Sequence, residues 1–221
     1  MNKAFRSVAY MFLISLVFTA LVSAVKVTQD DRIAHNRAVK LQRVILKVLN
    51  LPLKKGMSDG EAQHLFDRRV RPLEVRGRTM YVGYEADGRT IKGYVFPVGG
   101  PGFWGPIFGM AAVTPDAGQV LGLAFYKHSE TPGLGARISE PWFTDQFKGL
   151  PLQSRAAGQK FFYLKPAGTS RAADELDAVT GATRTSAAVE TFLNREFERF
   201  LKNDWSVLAR EQGGHGQTTV K

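Results

Sequence analysis

The chain opens on a long apolar stretch, Val8 to Val25 (VAYMFLISLVFTALVSAV), with Lys3 and Arg6 before it and no charge inside it. A helix rising ~1.5 Å per residue over that stretch comes a little under the ~30 Å of a hydrocarbon core, so the pattern predicts a single membrane span with its start inside. Helical periodicity continues beyond the span, with Ile33, Val44, Ile45, Val48 and Leu49 on one face and charged residues on the other. This continuation favours a retained anchor over the alternative, a signal peptide cleaved near Val22-Ser23-Ala24. Under either reading the remainder is expected on the far side of the membrane.

Ser58-Asp59-Gly60-Glu61 has the form of a capping box and opens a short helix whose Leu65 and Phe66 turn inward, with Val70 near its end. From Thr79 to Val98 strand-favouring residues, among them Tyr81, Tyr84, Tyr94 and Phe96, flank Asp87-Gly88, which predicts a hairpin. A second antiparallel pair follows, Ile107 to Val113 and Val120 to Tyr126, joined by the turn Thr114 to Gly118. Ser139-Glu140-Pro141 marks a helix start, Lys160 to Leu164 one more strand, and Ser186 to Leu208 a long amphipathic helix. The expected fold is α+β: an antiparallel sheet flanked by helices, preceded by one N-terminal transmembrane helix. The organisation follows as an anchor over 1–30, a helical connector over 31–75, a main domain over 76–210 and a flexible tail over 211–221.

Composition narrows the chemistry. A chain of 221 residues with 44% hydrophobic content suits one well-buried domain with a short accessory. The absence of cysteine excludes iron–sulfur clusters, disulfides, thiolate zinc sites and cysteine nucleophiles, so any redox chemistry needs a borrowed cofactor. The formal charge of +10 is scattered among acids and accompanies no nucleic-acid-binding motif, which argues against a nucleic-acid partner.

Three stretches carry the candidate chemistry. Asp177 to Ser186 (DAVTGATRTS) lies just before the long helix, where free N–H groups and a partial positive charge suit a phosphate and Gly181 lets the backbone approach it. The plainer reading is that Thr183 or Thr185 caps the helix. His128 to Gly135 (HSETPGLG) follows a strand and can set backbone donors and an apolar side chain against a planar ligand, or else be a solvated loop end at His128 and Glu130. Gly99 to Pro106 (GGPGFWGP) is a turn presenting two aromatics, with Trp104 either beside a ligand or in the core.

Together these stretches resemble the FMN-binding domain family shared by the C subunit of the sodium-translocating NADH:quinone oxidoreductase and the G subunit of the Rnf electron-transport complex. The resemblance covers most of the chain, making 76–210 the FMN-binding domain. In that family the pattern aspartate, two residues, serine or threonine, glycine, alanine, threonine is recognised by a flavin transferase, and the last threonine carries FMN. Here it is matched by Asp177, Thr180, Gly181, Ala182 and Thr183, with threonine at 180 where serine is commoner. The family's Glu-Thr-Pro-Gly-Leu-Gly loop is matched by Glu130 to Gly135, and Gly102-Phe103-Trp104-Gly105 is closer to the quinone oxidoreductase branch than to the Rnf branch.

The resemblance implies a covalent FMN on Thr183, with Thr180, Gly181, Ala182, Glu130, Thr131, Gly133, Leu134, Gly135 and Trp104 around the cofactor and Asp177 serving the transferase. No residue is expected to be catalytic and no metal is expected. Arg184 and Lys165 are candidates to balance phosphate charge, with simple surface exposure as the alternative. The implied protein is an electron-carrying subunit rather than a complete enzyme. It is expected in the cell membrane by a single pass, its domain on the periplasmic or extracellular side, with the other subunits of a respiratory complex as partners. Two alternatives remain: an exported non-redox module holding a phosphate-bearing ligand reversibly, and a free-standing flavin reductase, for which no nicotinamide-binding glycine fingerprint is seen.

Overall fold

The computed structural model describes residues 3–54, 56–152 and 159–208, so the tail expected over 211–221 lies outside the described residues. The chain divides into two compact units, Met1–Lys40 and Leu41–Lys221. Helix α1 (Lys3–Val48) makes up the described part of the first and continues into the second. Its segment Phe5–Lys26 has a mean hydropathy of 2.3 and none of it is buried, so it is long and apolar enough to cross a membrane.

The second unit is built on a five-stranded antiparallel sheet whose strands stand in chain order: β1 (Val70–Val75), β2 (Arg78–Tyr84), β3 (Ile91–Pro101), β4 (Pro106–Val113) and β5 (Val120–Lys127). The β2–β3 and β4–β5 pairs are the two predicted hairpins. Strand β1 is an addition, lying inside the stretch expected to be a helical connector, and its Val70 also ends helix α2 (Asp59–Arg69). The capping box at the start of α2 forms as expected: Ser58 Oγ accepts from Glu61 N–H at 3.3 Å, and Glu61 Oε2 accepts from Ser58 N–H at 2.8 Å.

Alternation along the strands buries both faces. On one, Val95, Met110, Ala112 and Ala124 pack with Ile45, Leu46, Val48 and Leu49 from the end of α1 and with Ala62 of α2. On the other lies helix α4 (Thr183–Arg199), whose Val189, Phe192, Leu193 and Phe197 are at most 1% exposed. Each such side chain contributes about 1.5–3 kcal/mol by leaving water. The helix begins at Thr183, three residues before the predicted start. It then runs through a π-helical turn, Phe200–Asp204, that brings Phe200 flat against Phe96 at 4.2 Å between ring centres.

Polar groups buried under α4 are paired. Arg78 donates to Glu196 Oε2 at 2.8 Å and to the Pro97 carbonyl at 2.6 Å, and lies 3.4 Å from Asp204 Oδ2. Burial pushes the Asp204 carboxyl above its usual value, against the pull of Arg78. Asn194 accepts from Phe161 N–H and donates to the Phe162 carbonyl, tying to α4 a stretch that has no strand partner of its own. The strand predicted over Lys160 to Leu164 is shorter and later, β6 (Tyr163–Lys165), and pairs in parallel with an unforeseen β7 (Glu175–Asp177). A helix of one turn, α3 (Pro141–Thr144), starts with proline at its first position as its sequence suggests.

Candidate functional site

The start of α4 is fixed from behind. Gln146 clamps the backbone of Asp177, accepting from its N–H at 2.7 Å and donating to its carbonyl at 3.2 Å. Val179 N–H donates to Ser186 Oγ at 3.1 Å and Ala182 N–H to the Val179 carbonyl at 3.0 Å, closing a turn in which Gly181 takes φ +77°. The turn delivers Thr183 to the first helical position, exposed, with its hydroxyl making no cap. The residue ahead of the helix is Ala182, and no side chain caps it. The N–H groups of the first turn therefore remain for a ligand, and the capping role considered for Thr183 and Thr185 is not the one they play.

Thr185 instead points inward. Its hydroxyl donates to Glu130 Oε2 at 2.6 Å, while Glu130 Oε1 accepts from the N–H groups of Phe103 and Trp104 at 2.9 and 3.0 Å. Glu130 is 5% exposed, so the solvated-loop alternative fails for it: this one carboxylate joins the β3–β4 turn, the loop after β5 and the start of α4. Its seat depends on small residues. A Cβ at Gly102 would lie 2.5 Å from Oε1, and one at Gly135 would lie 2.6 Å from Thr185 Oγ1 and 2.8 Å from Oε2.

These contacts frame a cavity of about 350 Å³ lined by Phe103, Trp104, Glu130, Thr131, Leu134, Gly135 and residues 181–185. The volume falls in the ordinary range for small-molecule sites, roughly 300–1,000 Å³. Its walls divide by chemistry. Trp104, Leu134 and Phe103 are 65%, 45% and 43% exposed and form an apolar rim, which overturns the core alternative for Trp104. The α4 N-terminus and the Thr183 hydroxyl add polar groups to the same lining, together with Arg184, whose guanidinium lies over the Phe103 ring at 5.1 Å. A planar, largely apolar ring system bearing a phosphate fits this mixed lining.

Of the residues singled out in the sequence, Thr183, Gly181, Ala182, Glu130, Thr131, Leu134, Gly135 and Trp104 meet at this cavity. Thr180 and Gly133 are exposed on the adjoining turns and do not line it. Asp177 also stands off: its Oδ1 accepts from Gly168 N–H and Ser170 Oγ, both at 2.9 Å, and so shapes the loop between β6 and β7. Lys165 lies over the Tyr163 ring, 3.7 Å from Glu175, away from the cavity. Phe103 and Thr185 are the lining residues that sequence reasoning passed over. Phe103 sits inside the turn that was singled out for presenting two aromatics, and Thr185 was considered only as a helix cap, since nothing local announces its bond to Glu130.

Comparison with known proteins agrees with this geometry. Residues 102–197 match the FMN-binding domain family, a span containing the Phe103–Trp104 turn, the loop after β5 and all but the last two residues of α4. The C subunit of the Na(+)-translocating NADH-quinone reductase of Pseudomonas aeruginosa is 26% identical over an alignment covering 90% of this chain and 95% of that protein. Its namesake from Chlamydia caviae is 36% identical over 115 residues, covering 45% of this chain and 36% of that protein, so the chain spans about a third of that relative. The crystal structure of NqrC from Shewanella oneidensis superposes with a TM-score of 0.62 over 72% of this chain and 90% of that one, at 24% identity, which shows a common fold. The likeness to the FMN-binding domain family thus falls on residues 102–197, the part of the chain that carries the Phe103–Trp104 turn, the loop after β5 and the exposed threonine at the start of α4.

Proposed function

We propose that the chain is the flavin-carrying electron-transfer subunit of a membrane respiratory complex, of the sodium-translocating NADH:quinone reductase or Rnf type. In this reading FMN is held by a phosphoester to the Thr183 hydroxyl, added once during maturation by a flavin transferase that reads the turn from Asp177. The observation that carries it is the placement of Thr183: exposed, free of any capping role, at the uncapped N-terminus of α4 and in the lining of a cavity that combines apolar side chains with a guanidinium.

The residues divide the work. The free N–H groups of the first turn and Arg184 hold the phosphate, and the covalent bond prevents loss of the cofactor outside the cytoplasm. Trp104, Leu134 and Phe103 pack against the ring, and Glu130 keeps the three segments of the site together. The flavin supplies the capacity to take up and release electrons; the protein supplies orientation and a tuned environment. No side chain need act as nucleophile, acid or base in turnover. The apolar segment Phe5–Lys26 anchors the chain, the globular unit lies on the periplasmic or extracellular side, and the electron donor and acceptor are neighbouring subunits.

The test is the intact mass of the denatured full-length chain, co-expressed with a flavin transferase, beside Thr183→Ala. We expect wild-type protein to gain the mass of one FMN less one water, with fluorescence that survives denaturing electrophoresis, and the variant to gain neither. An unmodified wild-type chain would refute the attachment and leave a reversible phosphate-ligand module as the better account.

A further inference from the structure

The cavity contains a buried charge that gripping a cofactor does not require. Glu130 lines it while being 5% exposed, and its three hydrogen-bond partners, Phe103 N–H, Trp104 N–H and the Thr185 hydroxyl, are all neutral. Among the described residues no lysine, arginine or histidine forms an ion pair with it. Three donors and no acceptor are what an ionised carboxylate calls for. If the task were only to tie three segments together, an amide would do it without placing a charge in a low-dielectric setting, where charges are costly.

Resting on the flavin reading above, we propose that Glu130 is a positioning residue with a second duty: its fixed negative charge lowers the reduction potential of the flavin beside it. Two-electron reduction with uptake of one proton adds one net negative charge to the ring, and a fixed carboxylate lining the same cavity opposes it. Screening by salt is weak there because water is excluded from the carboxylate. A unit charge acting through a protein-like dielectric biases such an equilibrium by about tenfold. For a two-electron couple this corresponds to about 30 mV.

Two substitutions separate the charge from the shape. In Glu130→Gln the amide oxygen can still accept from Phe103 and Trp104, and the amide nitrogen can donate to Thr185 once that hydroxyl rotates. All three contacts are kept and the charge is removed. Thr185→Val keeps the shape of a residue that is 3% exposed and removes one of the three donors, leaving the carboxylate less neutralised. The two should shift the potential in opposite directions.

The experiment uses full-length chains co-expressed with a flavin transferase and solubilised in detergent. Intact mass identifies the flavin-bearing fraction, and dithionite titration against reference dyes gives its midpoint potential from the loss of yellow absorbance. We expect Glu130→Gln to shift the oxidised-to-reduced ratio at fixed potential about tenfold toward reduced, raising the midpoint by about 30 mV, and Thr185→Val to lower it. Midpoints that stay put, or that move in the same direction in both variants, overturn the proposal. So does a folded Glu130→Gln chain that stays unloaded where wild type loads, since Glu130 would then serve attachment. Should Glu130→Gln fail to fold, the direction of the shift in Thr185→Val decides alone. A wild-type chain without flavin would instead defeat the reading on which the proposal rests.

Discussion

Replacing Gly135 by alanine would put a methyl group 2.6 Å from Thr185 Oγ1 and 2.8 Å from Glu130 Oε2, two atoms already bonded to each other and buried. Neither can withdraw without breaking that bond, so the substitution should cost about 1–3 kcal/mol of stability and open the cavity at its base. We expect a lower urea midpoint at unchanged slope, with a smaller flavin-bearing fraction; a variant as stable as wild type would show that the carboxylate seat is looser than these distances imply. Thr183 and its turn were legible in the sequence because the pattern that marks them is contiguous. Glu130 was legible as part of its loop motif, but its burial was not: it sits in a run of polar residues that reads as solvated, and its burial is created by partners 27 and 55 positions away in the chain.

Local code dictates some elements outright. In the β2–β3 hairpin Asp87 accepts from the Thr90 hydroxyl and from the N–H groups of Arg89 and Thr90, the latter two at 2.9 Å, while Gly88 takes the positive φ the turn needs. The Thr90 hydroxyl first, and then the two N–H groups, hold the Asp87 carboxyl at about 2, below its ordinary 3.8. A depressed carboxyl favours the folded state above its unfolded value, and the benefit is lost as pH falls toward the folded one. The stability gap between wild type and Asp87→Ala should therefore be present at neutral pH and close between about pH 4 and about pH 2 in urea titrations. A gap that is constant across that window would mean the carboxylate's charge does not stabilise the turn. Both hairpins were readable for this reason: alternation and turn chemistry lie within a few residues. Strands β6 and β7 have three residues each and owe their pairing to the Gln146 clamp and to Asn194 on α4, which no local pattern announces. The π-helical turn escaped notice likewise, since it serves Phe96 on a distant strand.

At the scale of the whole molecule, the apolar N-terminal segment and the site are read from different kinds of signal. The apolar run speaks through length and hydropathy alone, and the α+β class through the order of its strands and helices, so both were legible. Under the proposed function the cavity lies on the periplasmic or extracellular side of the membrane, and this can be tested cleanly because the chain has no cysteine. Ser206→Cys introduces a single thiol at an exposed position. In spheroplasts bearing the full chain we expect a membrane-impermeant maleimide to label it without lysis; labelling only after lysis would place the domain in the cytoplasm.

The apolar rim has one more consequence. Trp104 and Leu134 stand 65% and 45% exposed around the opening, and nothing among the described residues folds over them. A mouth left this wide admits small molecules as readily as it admits electrons from a neighbour. Under the proposed function, dioxygen reaching a reduced ring there would take the electron pair and the one proton gained on reduction, draw a second proton from water, and leave as hydrogen peroxide. The neighbouring subunits would then act as a shield as well as a circuit, and the carrier would be safest against oxidative leakage only when its assembly is complete.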